Sequence, residues 1–270
     1  MRVAAVQLSS TPDKARNLEV AGKLVDAAAK DGAELIALPE TFDIRGKPEQ
    51  VRDASESIDG STMQWARALA RRNGIWLVAG SFAERVDGHQ QPFNTSCVLD
   101  PDGEIRAVYR KIHLFECAVA GAVASESATS SAGDRIVTVD VAGVTVGLTT
   151  CYDLRFPELY RILALRGARI LTAVSAFTER TGRDHWEILI RARAIENQAF
   201  MVAPNQLAGS GPPRYGRTMI VDPWGLVLAL APDRECYIRA DLDFAAQDAI
   251  REQLPTLPNR RPETYDWPKE

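Results

Sequence analysis

Helical patterns, single strands and β-hairpins alternate along the sequence. This mixture restricts the possible folds of the chain more than any other feature of the sequence. Apolar residues at helical spacing predict five helices, and short apolar runs predict strands between them. Turn residues join adjacent strand patterns into hairpins at residues 94–111 and 135–150. A doubly wound parallel sheet has no need for such hairpins. We therefore predict an α/β fold with two mixed sheets face to face and helices on the outside.

The predicted elements divide the chain without a linker or an internal repeat, which indicates one domain over residues 1–270. Ser61 is the predicted N-cap of one helix, and Gly32 and Gly74 are predicted helix ends. The predicted helices fall within residues 10–34, 61–74, 157–168, 185–198 and 244–254. The predicted strands are residues 2–8, 34–40, 75–82, 94–100, 105–111, 135–141, 144–150, 169–177, 199–205, 218–230 and 236–243.

Two segments carry no regular pattern. Residues 118–134 are small and polar, and we predict a long loop there, of a length that is often functional. The tail, residues 254–270, is rich in proline and arginine, and we predict that it is extended and either frays or lies on another surface.

The composition excludes several classes of function. The formal charge is −4 and the sequence has no basic block, so we expect no nucleic-acid partner. No apolar run approaches the ~20 residues of a membrane helix, and the first residues lack a signal-peptide pattern. The four cysteines form no C-x-x-C pair and the three histidines form no zinc motif. We therefore expect a cytoplasmic protein with reduced thiols and no bound metal.

Three chemically active residues stand at the ends of predicted strands. Glu40 follows "LIALP", Lys111 ends "IRAVYRK", and Cys151 follows "VTVGLTT". Catalytic groups collect at such strand ends because loops can open there while the sheet keeps the groups rigid. Cys151 would be a nucleophile if nearby cations stabilised its thiolate.

Each of these residues also has a plain structural interpretation. A free cysteine is usually a small buried hydrophobe, and glutamate and lysine usually lie in solvent. Position alone therefore favours a core role for Cys151. His113 and His185 do not complete a known cysteine-protease signature, and we interpret them as a structural hydrogen-bonding residue and a helix-start or packing residue.

The three strand ends together resemble a known family. The segments "LPET", "YRKIHLF" and "CYDLRFPEL" are similar to motifs of the nitrilase superfamily of carbon–nitrogen hydrolases. The segments "AVQL", "HWEILIRARAIENQ" and "DPWGLVLA" also occur in the expected order, so the resemblance covers almost the whole chain.

The resemblance implies a fold, a mechanism and an assembly. The fold would be a four-layer α-β-β-α sandwich. Glu40 would be the general base, Cys151 the nucleophile and Lys111 an oxyanion donor, with no cofactor. Glu126 falls where many members carry a second glutamate, although a solvated loop carboxylate is the plain alternative. Members usually form homodimers, which would place tail residues 254–270 against a neighbouring subunit.

The residues after the cysteine look most like the Nit branch, which contains omega-amidases and deaminated-glutathione amidases. This implies hydrolysis of a linear, non-peptide C–N amide bond in a small substrate that carries a carboxylate. The reaction would pass through a cysteine thioester and release ammonia. Arg155 would hold the carboxylate, unless it forms a structural salt bridge with Asp153 or Glu158. Tyr152 would offer an oxyanion N–H and, with Phe177, could wall the pocket. A nitrilase, an N-carbamoyl-amine hydrolase and a non-catalytic partner-binding protein remain alternatives.

Two positions depart from the branch. Arg183 stands in "GRD" where Gly-Pro-Ala is common, and Arg217 follows Tyr-Gly where histidine is common. We expect both to lie in or near loops that shape the substrate pocket, together with loop 118–134. These departures leave the choice of substrate open.

Overall fold

The computed structural model describes residues 1–119, 122–208 and 214–266. The helices are α1 (Lys14–Lys30), α2 (Pro48–Asp53), α3 (Ser61–Asn73), α4 (Pro157–Leu165), α5 (Glu179–Asn197) and α6 (Phe244–Gln253). The strands are β1 (Arg2–Gln7), β2 (Leu35–Ala37), β3 (Trp76–Val78), β4 (Phe82–Glu84), β5 (Phe93–Leu99), β6 (Ile105–Arg110), β7 (Glu116–Val119), β8 (Ala122–Ser125), β9 (Thr138–Val141), β10 (Val144–Gly147), β11 (Ile170–Thr172), β12 (Phe200–Ala203), β13 (Met219–Val221), β14 (Val227–Leu230) and β15 (Cys236–Asp241).

Two mixed sheets form the centre of the fold. The first has the order β15-β1-β2-β3-β5-β4, with β6 paired to β5. The second has the order β14-β13-β12-β11-β10-β9. In each sheet the central pairs are parallel and the hairpin pairs are antiparallel. The two predicted hairpins are therefore confirmed as β5–β6 and β9–β10.

Strand periodicity divides the apolar residues of the first sheet between two cores. Successive side chains of a strand point to opposite faces, so alternate residues enter different layers. Val3, Ala5 and Leu35 pack between the sheets against residues such as Val146 and Val202. Ala4, Val6 and Ile36 pack on the outer face with residues of α1 and α3, including Ala21, Val25, Ala66 and Leu69.

The second sheet is covered in the same way by α4 and α5. Leu163 of α4 and Trp186 of α5 pack against Leu171 and Met201 on its outer face. The layers therefore run helix, sheet, sheet, helix. The predicted α-β-β-α sandwich is confirmed.

Helix ends follow the predictions in part. Gly74 ends α3 in the left-handed conformation, with φ +62°, and Gly32 follows the end of α1 with φ +83°. The prediction that Ser61 is an N-cap is wrong, because Ser61 is the first residue of α3. The Glu56 carboxylate replaces a capping side chain by accepting hydrogen bonds from the Thr62 N–H at 2.8 Å and the Ser61 hydroxyl at 2.7 Å.

Helix α5 begins at Glu179, six residues before the predicted start at His185. Residues 179–184 are polar and contain Gly182, so they show no apolar stripe. A Cβ atom at Gly182 would lie 2.3 Å from Cβ of Tyr215, so only glycine allows this close packing. Residues 182–184 therefore belong to α5 and not to the loop before it.

The segment 118–134 is only partly a loop. Strands β7 and β8 form a hairpin in which Glu116 pairs with Ser125 and Cys117 with Ala124, and residues 120–121 lie outside the described residues. Small side chains give this hairpin little of the β-branched character that predicts strands. Residues 126–134 are irregular apart from a short turn and a single bridge from Ser131 to Phe93.

The tail is described as far as Asp266, and residues 267–270 lie outside the described part of the chain. Arg260, Pro262 and Tyr265 line a surface groove together with Pro157 and Leu165 of α4. Within the described ranges, no helix combines the length and the apolar character that a membrane crossing requires.

Candidate active site

The first sheet places Glu40 three residues beyond the end of β2. The Leu38 N–H donates to the Val78 carbonyl at 2.9 Å, which extends the pairing with β3, and the backbone carbonyl of Glu40 accepts from the Gln206 amide at 2.9 Å. Gly80 has φ +38°, and a Cβ atom there would lie 2.1 Å from the Pro39 carbonyl oxygen. A glycine is therefore required beside the turn that holds Glu40.

Lys111 directly follows β6 and is fixed on both sides of its backbone. Its N–H donates to the Asn94 carbonyl at 2.9 Å, and its carbonyl accepts from the Gly133 N–H at 2.8 Å. Its side chain is only 1% exposed. A lysine is almost never buried without a charge partner, so this ammonium must be neutralised locally.

Cys151 lies beyond β10 at the start of a 3-10 turn, Cys151–Arg155, and has φ +50°. A non-glycine residue with this conformation is strained by about 1–3 kcal/mol and often marks a functional site. The turn is held by Asp153, whose buried carboxylate accepts from the Thr150 N–H at 2.8 Å and the Tyr109 hydroxyl at 2.5 Å. His113 also binds Asp153, at 2.8 Å, as expected of a structural histidine.

The three predicted strand ends converge on one buried cluster. The Lys111 ammonium lies 3.1 Å from Oε1 of Glu40 and 2.7 Å from Oε2 of Glu126. The Asn94 amide nitrogen donates to the same two carboxylates, at 2.9 Å to Glu40 and 3.1 Å to Glu126. The Phe115 N–H also donates to Glu126, at 2.8 Å. Glu126 is therefore part of the cluster and not a solvated loop residue.

The charges of this cluster are set by burial and by pairing. Burial opposes the charge on Lys111, but Glu40 and Glu126 outweigh it and raise the pKa of the lysine well above its usual value. Burial likewise opposes the charge on Glu40, but Lys111 and hydrogen bonds from Cys151, Lys111 and Asn94 lower the pKa of this carboxyl. Burial and the adjacent Glu40 charge raise the pKa of the Cys151 thiol. The resting site therefore holds a neutral thiol beside an ionised carboxylate.

The surroundings of the thiol suit attack on a carbonyl carbon. The Glu40 carboxylate and the Ala176 N–H lie beside the thiol, and both influence its pKa. The Cys151 N–H is already used by the Val174 carbonyl at 2.9 Å, whereas the Tyr152 N–H has no backbone acceptor among the described residues. A proton acceptor, a nucleophile and unused donors thus share one site. Over the described ranges, no three His, Cys, Asp or Glu side chains are arranged to hold a metal ion.

The cluster opens into a cavity of about 460 Å³, a size usual for small-molecule sites. All three residues predicted to contact substrate, Tyr152, Arg155 and Phe177, line this cavity. The Arg155 guanidinium stacks over both aromatic rings, at 5.9 and 5.4 Å, and lies 3.3 Å from Nδ1 of His185. His185 is thus an exposed residue inside α5, not at a helix start.

The alternative of a salt bridge from Arg155 to Asp153 or Glu158 is wrong. The Asp153 carboxylate is occupied by backbone and aromatic donors, and no ion pair of Arg155 occurs within the described residues. The planar donors of Arg155 are therefore available at the cavity wall.

The two departures from the branch pattern form ion pairs of their own. Arg183 is an exposed residue of α5 and pairs with Glu179 at 2.9 Å. Arg217 pairs with Asp233 at 3.3 Å. Neither is among the described residues that line the cavity, but Thr181 and Arg214, two and three positions before them in the chain, do line it, so both arginines lie near segments that shape the pocket.

Sequence reasoning missed three polar residues of the site: Asn94, Arg45 and Arg214. Asn94 interrupts an apolar strand pattern near its start, and a polar residue in such a position could have indicated a site. Arg45 and Arg214 lie in segments without periodicity, so no local pattern distinguished them from surface arginines.

Comparison with known proteins agrees with this geometry. The chain is 40% identical over 270 residues to the nitrilase and fragile histidine triad fusion protein NitFhit of Caenorhabditis elegans, but spans only 61% of that protein's length. It is 40% identical to the deaminated glutathione amidase of Homo sapiens, with 97% of this chain and 83% of that protein covered. It is 38% identical to the omega-amidase NIT2 of Mus musculus, with 98% and 96% covered.

The fold also matches those of solved structures. The crystal structure of Nit3 from Saccharomyces cerevisiae, a member of branch 10 of the nitrilase superfamily, superimposes with a TM-score of 0.89 at 32% sequence identity. This match covers 98% of this chain and 97% of the yeast chain. The carbon-nitrogen hydrolase family model matches residues 2–252. The chain therefore belongs to the carbon-nitrogen hydrolase family.

Proposed function

We propose that this protein is a cytoplasmic amidase that hydrolyses the C–N bond of a small carboxylate-bearing amide, of the omega-amidase or deaminated-glutathione amidase type. The observation that carries the proposal is the buried Lys111 ammonium, held between Glu40 and Glu126 beside the Cys151 thiol. The names of the relatives support an amide as the substrate.

The first step is attack by Cys151 on the amide carbonyl carbon. Glu40 accepts the thiol proton as the C–S bond forms, because this ionised carboxylate lies beside the thiol. A neutral thiol with a raised pKa needs such a base, and direct proton transfer supplies the thiolate only when substrate is present.

The negative charge that develops on the carbonyl oxygen needs preorganised donors. Lys111 and the Tyr152 N–H fill this role, Lys111 because its position is fixed and Tyr152 because its N–H has no backbone acceptor among the described residues. Collapse of the intermediate breaks the C–N bond, and Glu40 returns its proton to the leaving nitrogen. The products of this half-reaction are a Cys151 thioester and ammonia or an amine.

Hydrolysis of the thioester completes the cycle. Glu40, ionised again, takes a proton from water, whose oxygen attacks the thioester carbon. Collapse of this intermediate breaks the C–S bond and releases the carboxylic acid, and Glu40 returns the proton to the sulfur of Cys151. Every step is a proton transfer or an acyl transfer between groups of the protein, substrate and water, so no cofactor has to be invoked. Glu126 is a positioning residue, because it holds the Lys111 ammonium at 2.7 Å and shares the Asn94 donor with Glu40.

The substrate carboxylate is assigned to Arg155. Its guanidinium has no carboxylate partner within the described residues and is oriented by the rings of Tyr152 and Phe177. Charge-assisted and bidentate pairing makes such an arginine selective for a planar anion. The aromatic rings would cover the apolar carbons of the substrate.

The test is a product screen with purified protein. We expect ammonia from 2-oxoglutaramate and an amine from deaminated glutathione, with little turnover of nitriles or N-carbamoyl amines. Cys151→Ala should abolish activity, while Cys236→Ala, which removes a thiol outside the cavity, should retain it. Trapping of an acyl group on Cys151 by mass spectrometry would identify the thioester. Full activity of Cys151→Ala, or turnover of nitriles alone, would refute the proposal.

We also propose that the protein forms a homodimer or higher oligomer. Ile188 and Ile195 project from one side of α5 and are 69% and 48% exposed, and Trp224 and Leu226 in the adjoining turn are 64% and 60% exposed. Such an apolar patch is unusual for a monomer surface. Tail residues 254–270 would contact the neighbouring subunit. Light scattering should show a dimer or larger species that Trp224→Glu shifts toward monomer, and a monomeric parent protein would refute this assembly.

A further inference from the structure

Two arginines outside the proposed triad line the same cavity. Arg45 lies on the segment after Glu40, and Arg214 lies opposite Thr178, to which its backbone is bridged. With Lys111 and Arg155, the described cavity lining holds four cationic side chains but only two acidic ones, Glu40 and Glu126. A neutral substrate would leave this surplus of two positive charges uncompensated.

Neither arginine has an anionic partner within the described residues. Their guanidinium groups take part in none of the ion pairs of that part of the chain. Nε of Arg214 is buried and has no hydrogen-bond partner there. Of the segments outside the described residues, 120–121 and 209–213 contain no aspartate or glutamate, and 267–270 contains Glu270 at the end of the chain. A buried polar group without a partner is costly, so a ligand is the natural source of one.

The charge of Arg214 is close enough to Arg45 to affect its pKa. Burial, followed by repulsion from Arg214, lowers the pKa of Arg45 to about 10, so it remains charged at neutral pH. Burial also lowers the pKa of Arg214. The negative charge of Glu40 opposes the decrease in pKa of both arginines, but its carboxylate already accepts hydrogen bonds from Lys111 and Asn94. An anion between the two guanidinium groups would relieve their repulsion.

We propose that Arg45 and Arg214 bind a second substrate carboxylate, at a subsite separate from Arg155. The preferred substrate would then be an amide that carries two carboxylates, which together match the surplus charge of the cavity. This inference rests on the proposed amidase function and narrows its substrate class. Two arginine forks can bind one carboxylate with several charge-assisted hydrogen bonds, which discriminate strongly against a neutral group of similar size.

The test compares substrates that differ only in the second carboxylate. Deaminated glutathione carries carboxylates at both ends, and its glycine methyl ester lacks one of them without a large change in size. We expect wild-type kcat/KM to favour the acid over the ester by about tenfold or more, the loss typical of a charge-assisted contact. Arg45→Gln and Arg214→Gln should bring this ratio close to one. Arg45→Lys, which keeps the positive charge but not the planar guanidinium group, should retain part of the preference for the acid.

A matched control is Arg135→Gln, which removes an 86% exposed arginine outside the cavity and should leave the ratio unchanged. Thermal denaturation of each variant establishes that it is folded. The inference is overturned if wild-type protein cleaves acid and ester equally, or if Arg45→Gln slows both by the same factor. If the ratio is one while 2-oxoglutaramate is hydrolysed, only this inference fails. If no amide is hydrolysed, the proposed function fails as well.

Discussion

Lys111→Met removes the ammonium from a buried cluster and leaves the two carboxylates that it neutralises. The lysine side chain is 1% exposed, and the carboxylates of Glu40 and Glu126 are 6% and 17% exposed. Removal of one partner from a buried ion pair typically costs about 3–5 kcal/mol, because an uncompensated charge remains. We expect a loss of this size in the free energy of unfolding at pH 7.5, together with loss of amidase activity.

The loss should depend on pH in a defined direction. Without the ammonium, burial and mutual repulsion would raise the folded-state pKa of at least one carboxyl above its unfolded value near 4.3. A group with a raised pKa contributes stability at low pH and loses it as the pH rises through the folded-state value. The deficit of Lys111→Met relative to wild type should therefore be smaller at pH 5 than at pH 7.5.

Urea denaturation followed by tryptophan fluorescence measures this free energy. The control is the double variant Lys111→Met/Glu126→Gln, which removes one charge of each sign. It should recover about 1–3 kcal/mol relative to Lys111→Met, although it should remain inactive. A single variant within 1 kcal/mol of wild type, or a double variant no more stable than the single, would refute the account of the cluster as a charge-balanced unit.

Three further predictions concern the supports of the site. Asn94→Leu removes a hydrogen-bond donor that lowers the pKa of Glu40. We therefore expect kcat/KM to fall about 10- to 100-fold and the acidic limb of its pH profile to move to higher pH. An acidic limb that does not move would contradict this role. Burial raises the pKa of Asp43 to about 6, so its contribution to stability is lost as the pH rises through 6. Asp43→Asn should therefore raise the free energy of unfolding at pH 7.5 by about 1–3 kcal/mol, and this gain should be smaller at pH 5. Destabilisation at both pH values would show that the charged form of Asp43 is required. Gly80→Ala should cost about 2 kcal/mol or more in thermal denaturation, because its Cβ atom would lie 2.1 Å from the carbonyl oxygen before Glu40, and an unchanged melting temperature would disprove the constraint.

The layered fold and the three strand ends were predictable because they leave local signals. Burial on one face produces the alternation seen in β1 and the helical spacing in α1, and both periods can be read without knowledge of distant neighbours. Helix α5 was predicted six residues too short because residues 179–184 carry no apolar stripe, and the close packing of Gly182 against Tyr215 leaves no local signal.

The sequence by itself therefore determined the class of fold, the order of its elements and the positions of Glu40, Lys111 and Cys151 at strand ends. Glu126 was reached through a family resemblance, since its loop has no period. Only the tertiary structure decided that these groups meet, because the contact between Lys111 and Glu40 joins residues 71 positions apart.

The same holds for the residues that sequence reasoning missed. Asn94 bridges two carboxylates from different segments, and Arg45 and Arg214 share a cavity although 169 positions separate them in the chain. A residue's neighbours along the chain fix its local conformation, but its charge environment depends on which distant segments the packed sheets bring beside it. The substrate-binding chemistry of this protein is therefore decided by its tertiary structure.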